Sequence, residues 1–413
     1  MKSATFVQEM FREYYNKDFS LSESFPTIEK REFGFASFES WMLRHKSFKS
    51  EDELTSFLRN FVPKDAYFSC AMYETPEAEM ERKGWLGADL IFDIDADHIP
   101  TPCDKIHDEW TCGNCSFAGK GIAPANCPTC GSEKLDVNTW PCEVCLNSAK
   151  METMKLLDML MQDFGFSKNE MHIFFSGHRG YHVHVENESI KTLDAVARKE
   201  IVDYVSGLGF DSTFHVESKK GRRQAPAVNS SSLSNLGWNR RIAMAIHDFI
   251  LGAKEEDFVD MGLNRNVIEA VLKNKDTILR NWNNSRILST IKGIGPETLK
   301  KIVEFCIQKQ SAKIDTVVTT DVHRLIRLAD ALHGKTGLKK VGFPISRIEN
   351  FDPFKSAIAF KRGTVSVFVS DAPKFRLGDE HFGPYKKQKV ELPTAVAVLL
   401  ICRDRAEVVD QNV

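Results

Sequence analysis

No stretch of this 413-residue chain stays apolar for long. The longest such run, Ala395 to Cys402, is far too short to span a bilayer, and the first residues, Met-Lys-Ser-Ala-Thr-Phe-Val-Gln-Glu-Met, lack the apolar core of a signal peptide. These absences argue against a membrane-spanning helix and a secretory leader, so the expectation is a soluble intracellular protein with no membrane partner. An excess of charge is missing too. Lys and Arg total 55 against 57 Asp and Glu, leaving −2, so no global basic field exists and any nucleic-acid partner must be held by local patches. No internal repeat is apparent. Cysteine is sparse outside one window: of ten, Cys70, Cys306 and Cys402 stand alone and read as buried small hydrophobes or inert thiols. The length allows two or three domains, each with a full core.

What is present begins with Asp93, Asp95 and Asp97, which alternate along Asp-Leu-Ile-Phe-Asp-Ile-Asp-Ala-Asp-His (89–98). On an extended strand, residues i and i+2 share a face, so at least two carboxylates converge while Leu90, Phe92 and Ile94 face a core. Clustered carboxylates repel unless a cation sits between them, and hard divalent ions with phosphate substrates are the usual occupants. The plain alternative is a solvated strand end running into a loop.

The other seven cysteines lie between Cys103 and Cys145. Cys112-x-x-Cys115 and Cys127-Pro-Thr-Cys130 have the spacing of a zinc ribbon, in which two knuckles give four thiolates to one tetrahedral ion. Cys103, His107, Cys142 and Cys145 flank it as a second complete ligand set. One or two structural zinc ions are therefore expected, with spectator cysteines if only one binds.

Elsewhere, Phe6, Met10 and Tyr14 have helical spacing, and Arg31 to Phe35 reads as a strand. A segment from Trp41 to Leu43 leads into Arg44, and Ala149 to Phe164 predicts an amphipathic helix with a core stripe of Met154, Leu157, Leu160 and Met161. Met171 to Val185 predicts two strands around a Gly-bounded turn, with His182 and His184 on one face. In that turn, Ser176-Gly-His-Arg-Gly-Tyr-His182 offers a hydroxyl, a guanidinium and an imidazole around glycines, a grip suited to polyphosphate; a polar surface turn is the alternative. A helix at about 193–207, a basic loop at 218–223, a Ser/Asn-rich stretch at 229–235 and helical periodicity over 245–310 follow. Within the last, Ile291 to Lys300 resembles the hairpin of helix-hairpin-helix modules, although an ordinary helix turn reads as well. Asp315 is placed on a β-branched strand, Asp321 as a helix N-cap, and 321–332 as a helix carrying Arg324 and Arg327, ahead of the turn His333-Gly-Lys-Thr-Gly337.

Together these residues resemble the catalytic small subunit of archaeal and eukaryotic replicative DNA primase. The matching pieces are Arg31-Glu32-Phe33 with Arg44, Phe92-Asp93-Ile94-Asp95, Ser176-Gly-x-Arg179-Gly-x-His182, and Asp315 followed by Arg327 and Leu332-His333-Gly-Lys-Thr-Gly337. The resemblance implies an α/β (α+β) fold: a catalytic core with an RRM-like mixed sheet, a zinc-binding insert and a helical subdomain. It divides the chain into core at 1–99, insert at 100–148, nucleotide-binding core at 149–249, helical subdomain at 250–312, and third-acid and C-terminal core at 313–413. It implies Asp93, Asp95 and Asp315 as a triad for two Mg²⁺ or Mn²⁺ ions roughly 4 Å apart, with Asp97 an extra acid. Ser176, Arg179, His182, Arg327 and His333 would hold the triphosphate, and Arg44 and Glu32 would complete the pocket. Zinc would sit on Cys103, His107, Cys142 and Cys145, the inner ribbon being an insertion. Leu328-Ala-Asp-Ala-Leu332 departs from the proline and serine common before the histidine. The implied activity is synthesis of short RNA or DNA primers from NTPs or dNTPs on single-stranded DNA, with a primase large subunit as heterodimer partner, in the cytoplasm of an archaeal-type cell or in a eukaryotic nucleus. Competing readings are a primase-polymerase of the end-joining or plasmid type, a zinc-ribbon binding module without catalysis, and a metal-dependent nuclease.

Overall fold

The computed structural model describes residues 3–22, 27–209, 216–217, 227–228, 237–252, 254–282, 287–292 and 294–409. The basic loop expected at 218–223, the Ser/Asn-rich 229–235, and Gly293 within the 291–300 hairpin lie outside them. Two compact units emerge. One comprises Met1–Met154, Ser167–Lys199 and Lys313–Val413, the other Lys155–Phe166 and Glu200–Ala312.

In the first unit the acid run folds as its alternation dictates. Leu90, Phe92 and Ile94 are buried, while Asp93 and Asp95 are half-buried on the opposite face. Leu90–Asp95 forms one edge of a four-stranded sheet in the order Val341–Phe343, Met171–Phe175, Gly180–Val185, Leu90–Asp95. Its register sets His182 opposite Asp93 and Gly180 opposite Asp95. A Cβ at Gly180 would lie 2.3 Å from the Ile94 carbonyl oxygen, so only glycine permits that approach. A second four-stranded sheet has the order Leu325–Arg327, Asp65–Ser69, Phe33–Ala36, Met42–Lys46 and sets Arg327 opposite Tyr67. The α+β class holds, and every strand pairing among the described residues is antiparallel, where a mixed sheet was expected. The longest apolar run becomes the helix Thr394–Cys402, which is apolar all round because it is buried all round, packed on the strand Thr364–Ala372.

Three local expectations are corrected. The 321–332 segment is not a helix: Leu325–Arg327 pairs with Asp65–Ser69, burying Ile326, and Asp330 takes a left-handed φ of 58°. Ladder partners and burial outweigh helical spacing there. Asp315 is not on a strand but N-caps the helix Thr316–Thr320, and Asp321 stands at that helix's C-cap. The helix expected from Ala149 starts earlier, running Glu143–Gln162, so Cys145 lies in its first turn.

The second unit is helical. In Gly237–Gly252, Trp238, Ile242, Ile246 and Ile250 recur every four residues as a buried stripe and face the buried Leu299, Ile302, Val303 and Cys306 of Pro296–Gln310. Asp163 accepts from the Tyr204 hydroxyl at 3.0 Å and from Arg241 Nε at 2.5 Å, giving the buried guanidinium its counter-charge.

Candidate active site and metal sites

Asp93 and Asp95 project from the edge strand into a cavity of about 180 Å³ also lined by Ser176, His182, Arg324, Arg327 and His333. That is less than the roughly 300–1,000 Å³ of a pocket that encloses a whole drug-sized ligand. The third acid arrives through the main chain. The Asp315 N–H donates to the Asp93 carbonyl oxygen at 2.8 Å, while its carboxylate accepts from the Val317 N–H at 2.9 Å. Burial, then the charges of Asp95 and Asp315, push the Asp93 carboxyl up to about 7. An all-oxygen set under such mutual repulsion suits a hard divalent cation. Among the described residues, the three carboxylates do not all lie within 4.8 Å of one another.

The Ser176–Gly180 turn joins two paired strands, Met171–Phe175 and Gly180–Val185, as expected. Ser176 Oγ accepts from the N–H groups of His178 and Gly180, both at 3.2 Å, which leaves its own proton free to point into the cavity. His182 Nε2 stands 3.6 Å from Asp93, and its buried Nδ1 has no hydrogen-bond partner among the described residues. Burial, with Lys340 and Arg327 nearby, holds the His182 ring well below the usual imidazole range; burial and Arg327 do the same to His333. Both rings are therefore neutral at pH 7.

Arg327 is oriented by residues the sequence did not single out. Its guanidinium pairs with Asp65 and lies 5.2 Å over the Tyr67 ring, and Asp65 also accepts from the Gly334 N–H at 2.8 Å. One carboxylate thus fixes both Arg327 and the turn after His333. The only signal was the alternation of Asp65-Ala-Tyr-Phe-Ser69, which turns Asp65 and Tyr67 away from the Ala66 and Phe68 face. Lys340, fully buried, donates to the Arg327 carbonyl at 2.8 Å and sits 4.3 Å over the Phe174 ring. Nothing in its local sequence marked it.

Two expected pocket residues are placed elsewhere. Arg179 is 1% exposed and turns away from the cavity, its Nη1 2.6 Å from Asp97 and 3.0 Å from Asp108. Arg44 pairs with the fully buried Glu32 at 3.0 Å, which is also ion-paired to Lys83 at 3.0 Å, and Arg44 does not line the cavity.

The thiols form two sets. Cys103, Cys142 and Cys145 have Sγ separations of 3.5, 3.3 and 3.4 Å, and His107 Nε2 is 3.3 Å from Cys142 and 3.6 Å from Cys145. These are far beyond a disulfide bond of about 2.05 Å and close to the roughly 3.8 Å edge of a tetrahedron with Zn–S bonds of about 2.3 Å. Local structure supplies the set: Cys103 and His107 bracket the helical turn Asp104–His107, while Cys142 and Cys145 open the long helix. His107 Nδ1 is 2.7 Å from Asp108 Oδ1, the outer carboxylate that orients a metal-binding imidazole. Cys112, Cys115, Cys127 and Cys130 make the second set, with Cys112–Cys130 and Cys115–Cys127 at 3.6 Å, on a three-stranded ribbon centred on Glu109–Cys112. Both sets fit a tetrahedral thiophilic ion. Cys70 and Cys306 are buried, as expected of inert thiols, and Cys402 is half-buried.

A family model described as DNA primase small subunit matches residues 134–347. The chain is 33% identical to the DNA primase small subunit PriS of Methanothrix thermoacetophila, covering 98% of this chain and 99% of that protein. It is 30% identical to the PriS of Nitrosopumilus maritimus and 32% to that of Cenarchaeum symbiosum, each over 98% of both chains. With acids, turn and thiol sets arranged as above, the chain belongs to the DNA primase small subunit family.

Proposed function

We propose that the cavity around Asp93 and Asp95 is the catalytic centre of a DNA primase, joining NTPs into short primers on a single-stranded DNA template for replication, with release of pyrophosphate. The observation that supports this best is the register that sets His182 against Asp93 on a sheet edge, with Ser176, Arg327 and His333 around the same small cavity. In this reading Ser176 donates its hydroxyl proton to a phosphate oxygen. Arg327, already oriented by Asp65, presents its remaining N–H groups to the triphosphate. Neutral His182 and His333 can serve as hydrogen-bond donors without adding positive charge. Asp93, Asp95 and Asp315 would hold two Mg²⁺ or Mn²⁺ ions, whose charge would offset the carboxylates and the phosphates during transfer. Zn²⁺ on the Cys103 and Cys112 sets would contribute folding energy to the insert. The remainder of the reading is a large-subunit partner, template and primer contacts outside the cavity, and a cytoplasmic setting like that of an archaeal cell.

The test incubates the purified chain with unprimed single-stranded DNA, labelled nucleotides and Mg²⁺ or Mn²⁺, beside the Asp93→Asn/Asp95→Asn variant. New oligonucleotides from the wild type alone support the reading. Extension of a preformed primer without initiation, even with a large subunit added, would favour a primase-polymerase. Template cleavage would mean a nuclease, and binding without chemistry a ribbon module.

A further inference from the structure

Arg179 joins the acid strand to the outer thiol set. On one side, its carbonyl accepts from the Ala96 N–H at 3.2 Å, and its Nη1 is 2.6 Å from Asp97, so backbone and side chain both grip the end of the strand bearing Asp93 and Asp95. On the other side, the guanidinium reaches Asp108 at 3.0 Å and donates to Cys145 Sγ at 3.3 Å. Asp108 spends its other oxygen on His107 Nδ1 and on the Trp140 N–H at 3.0 Å. The result is a continuous polar chain, His107, Asp108, Arg179, Asp97, whose central guanidinium is 1% exposed. A second guanidinium runs parallel: Arg403 donates to Asn138 of the ribbon at 2.7 Å and lies 3.3 Å from His178, whose ring stacks on His333 with centroids 5.0 Å apart. The Ser176–Gly180 turn is thus braced from behind by the cysteine-bearing insert.

We propose that Arg179 is a positioning residue through which metal at Cys103, His107, Cys142 and Cys145 sets the geometry of the acids and the phosphate-grip turn, so that thiol-site occupancy controls catalytic competence. The proposal rests on the cavity being the nucleotide site. Its physical basis is charge. A divalent ion with three thiolates and an imidazole carries one net negative charge, which complements the guanidinium hydrogen-bonded to Cys145. With the ion bound, the guanidinium faces that metal–thiolate group on one side and the carboxylates of Asp97 and Asp108 on the others. Coupling of this kind is reciprocal, so a change at Asp97 must also be felt at the thiolates.

The experiment uses the full chain loaded with Co²⁺ in place of zinc, since the cobalt–thiolate absorption band reports on the sulfur ligands. Asp97→Asn changes a residue on the far side of Arg179 from the thiolates. We expect it to keep wild-type cobalt content, shift the band without any nucleotide present, and lower kcat roughly tenfold or more, the range seen on altering groups that orient metal ligands. Arg179→Lys should do the same more strongly, with KM for nucleotide moving less than kcat. An unchanged band in Asp97→Asn would overturn the proposal, as would a shifted band with wild-type kcat. Should Arg179→Lys fail to fold, Asp97→Asn still decides. A shifted band in a protein whose wild type makes no primers would sink the reading of the cavity while leaving the bridge in place.

Discussion

Asp93 is ionisable in a place that resists its charge. Its carboxyl, raised to about 7 from an ordinary value of 3.8, penalises folding once it ionises. The penalty is absent below about pH 3.8, grows as pH rises, and is complete above about pH 7. Asp93→Asn should therefore stabilise the metal-free protein at pH 8 by about 2 kcal/mol, after allowing for its partial exposure, and by less at pH 5. Thermal melts at the two pH values check this, and an equal gain at both would contradict it. The same variant should make no primers, separating stability from function at one atom. At this scale the sequence was informative for Asp93, Asp95, Ser176, His182 and His333, which were read from short local motifs and all line one cavity. It was uninformative for Asp65, Tyr67 and Lys340, since an ion pair or a buried ammonium is made by distant partners. It was misleading for Arg179, because a motif position says nothing about which way a long side chain turns.

Individual elements carry two further expectations. The strand Gly180–Val185 lies against Leu90–Asp95 only because residue 180 has no side chain. Gly180→Ala should lower stability by about 1–3 kcal/mol, as overpacking does, and pull the phosphate-grip turn off the acids, so a denaturant midpoint and kcat should fall together. For the thiol sets, wild-type protein should hold two zinc equivalents by mass spectrometry. Cys112→Ser/Cys115→Ser should hold one with a small change in Tm. Cys142→Ser/Cys145→Ser should cost far more, because Cys145 is fully buried, contacts Arg179 and lies in the first turn of a 20-residue helix. Elements with strong periodicity, such as the acid strand and the helices within 245–310, were legible from spacing, whereas the helix that carries Trp238 starts earlier, at Gly237. The 321–332 segment was not, since its fate depended on an open edge at Asp65–Ser69 far away in sequence.

For the whole molecule, the near balance of charge sets how it meets DNA. With a formal charge of −2, binding to single-stranded DNA depends on local cations alone. The affinity should fall only gently with salt, with a log–log slope no steeper than about −4, measured by fluorescence anisotropy; a slope near −10 would mean that the local cations form one extended basic face. Sequence by itself determined what is written in near neighbours: alternation makes a strand, four-residue spacing a helix, and paired cysteines a metal ligand set. Tertiary structure decided what depends on distant neighbours: the capping of a helix by Asp315 beside Asp93, the Asp65 carboxylate under Arg327, and the turning of Arg179 from the cavity toward Asp97, Asp108 and Cys145. The physical reason is that a buried charge follows whichever counter-charges and hydrogen-bond partners the fold brings within reach, and those are not encoded at its own position.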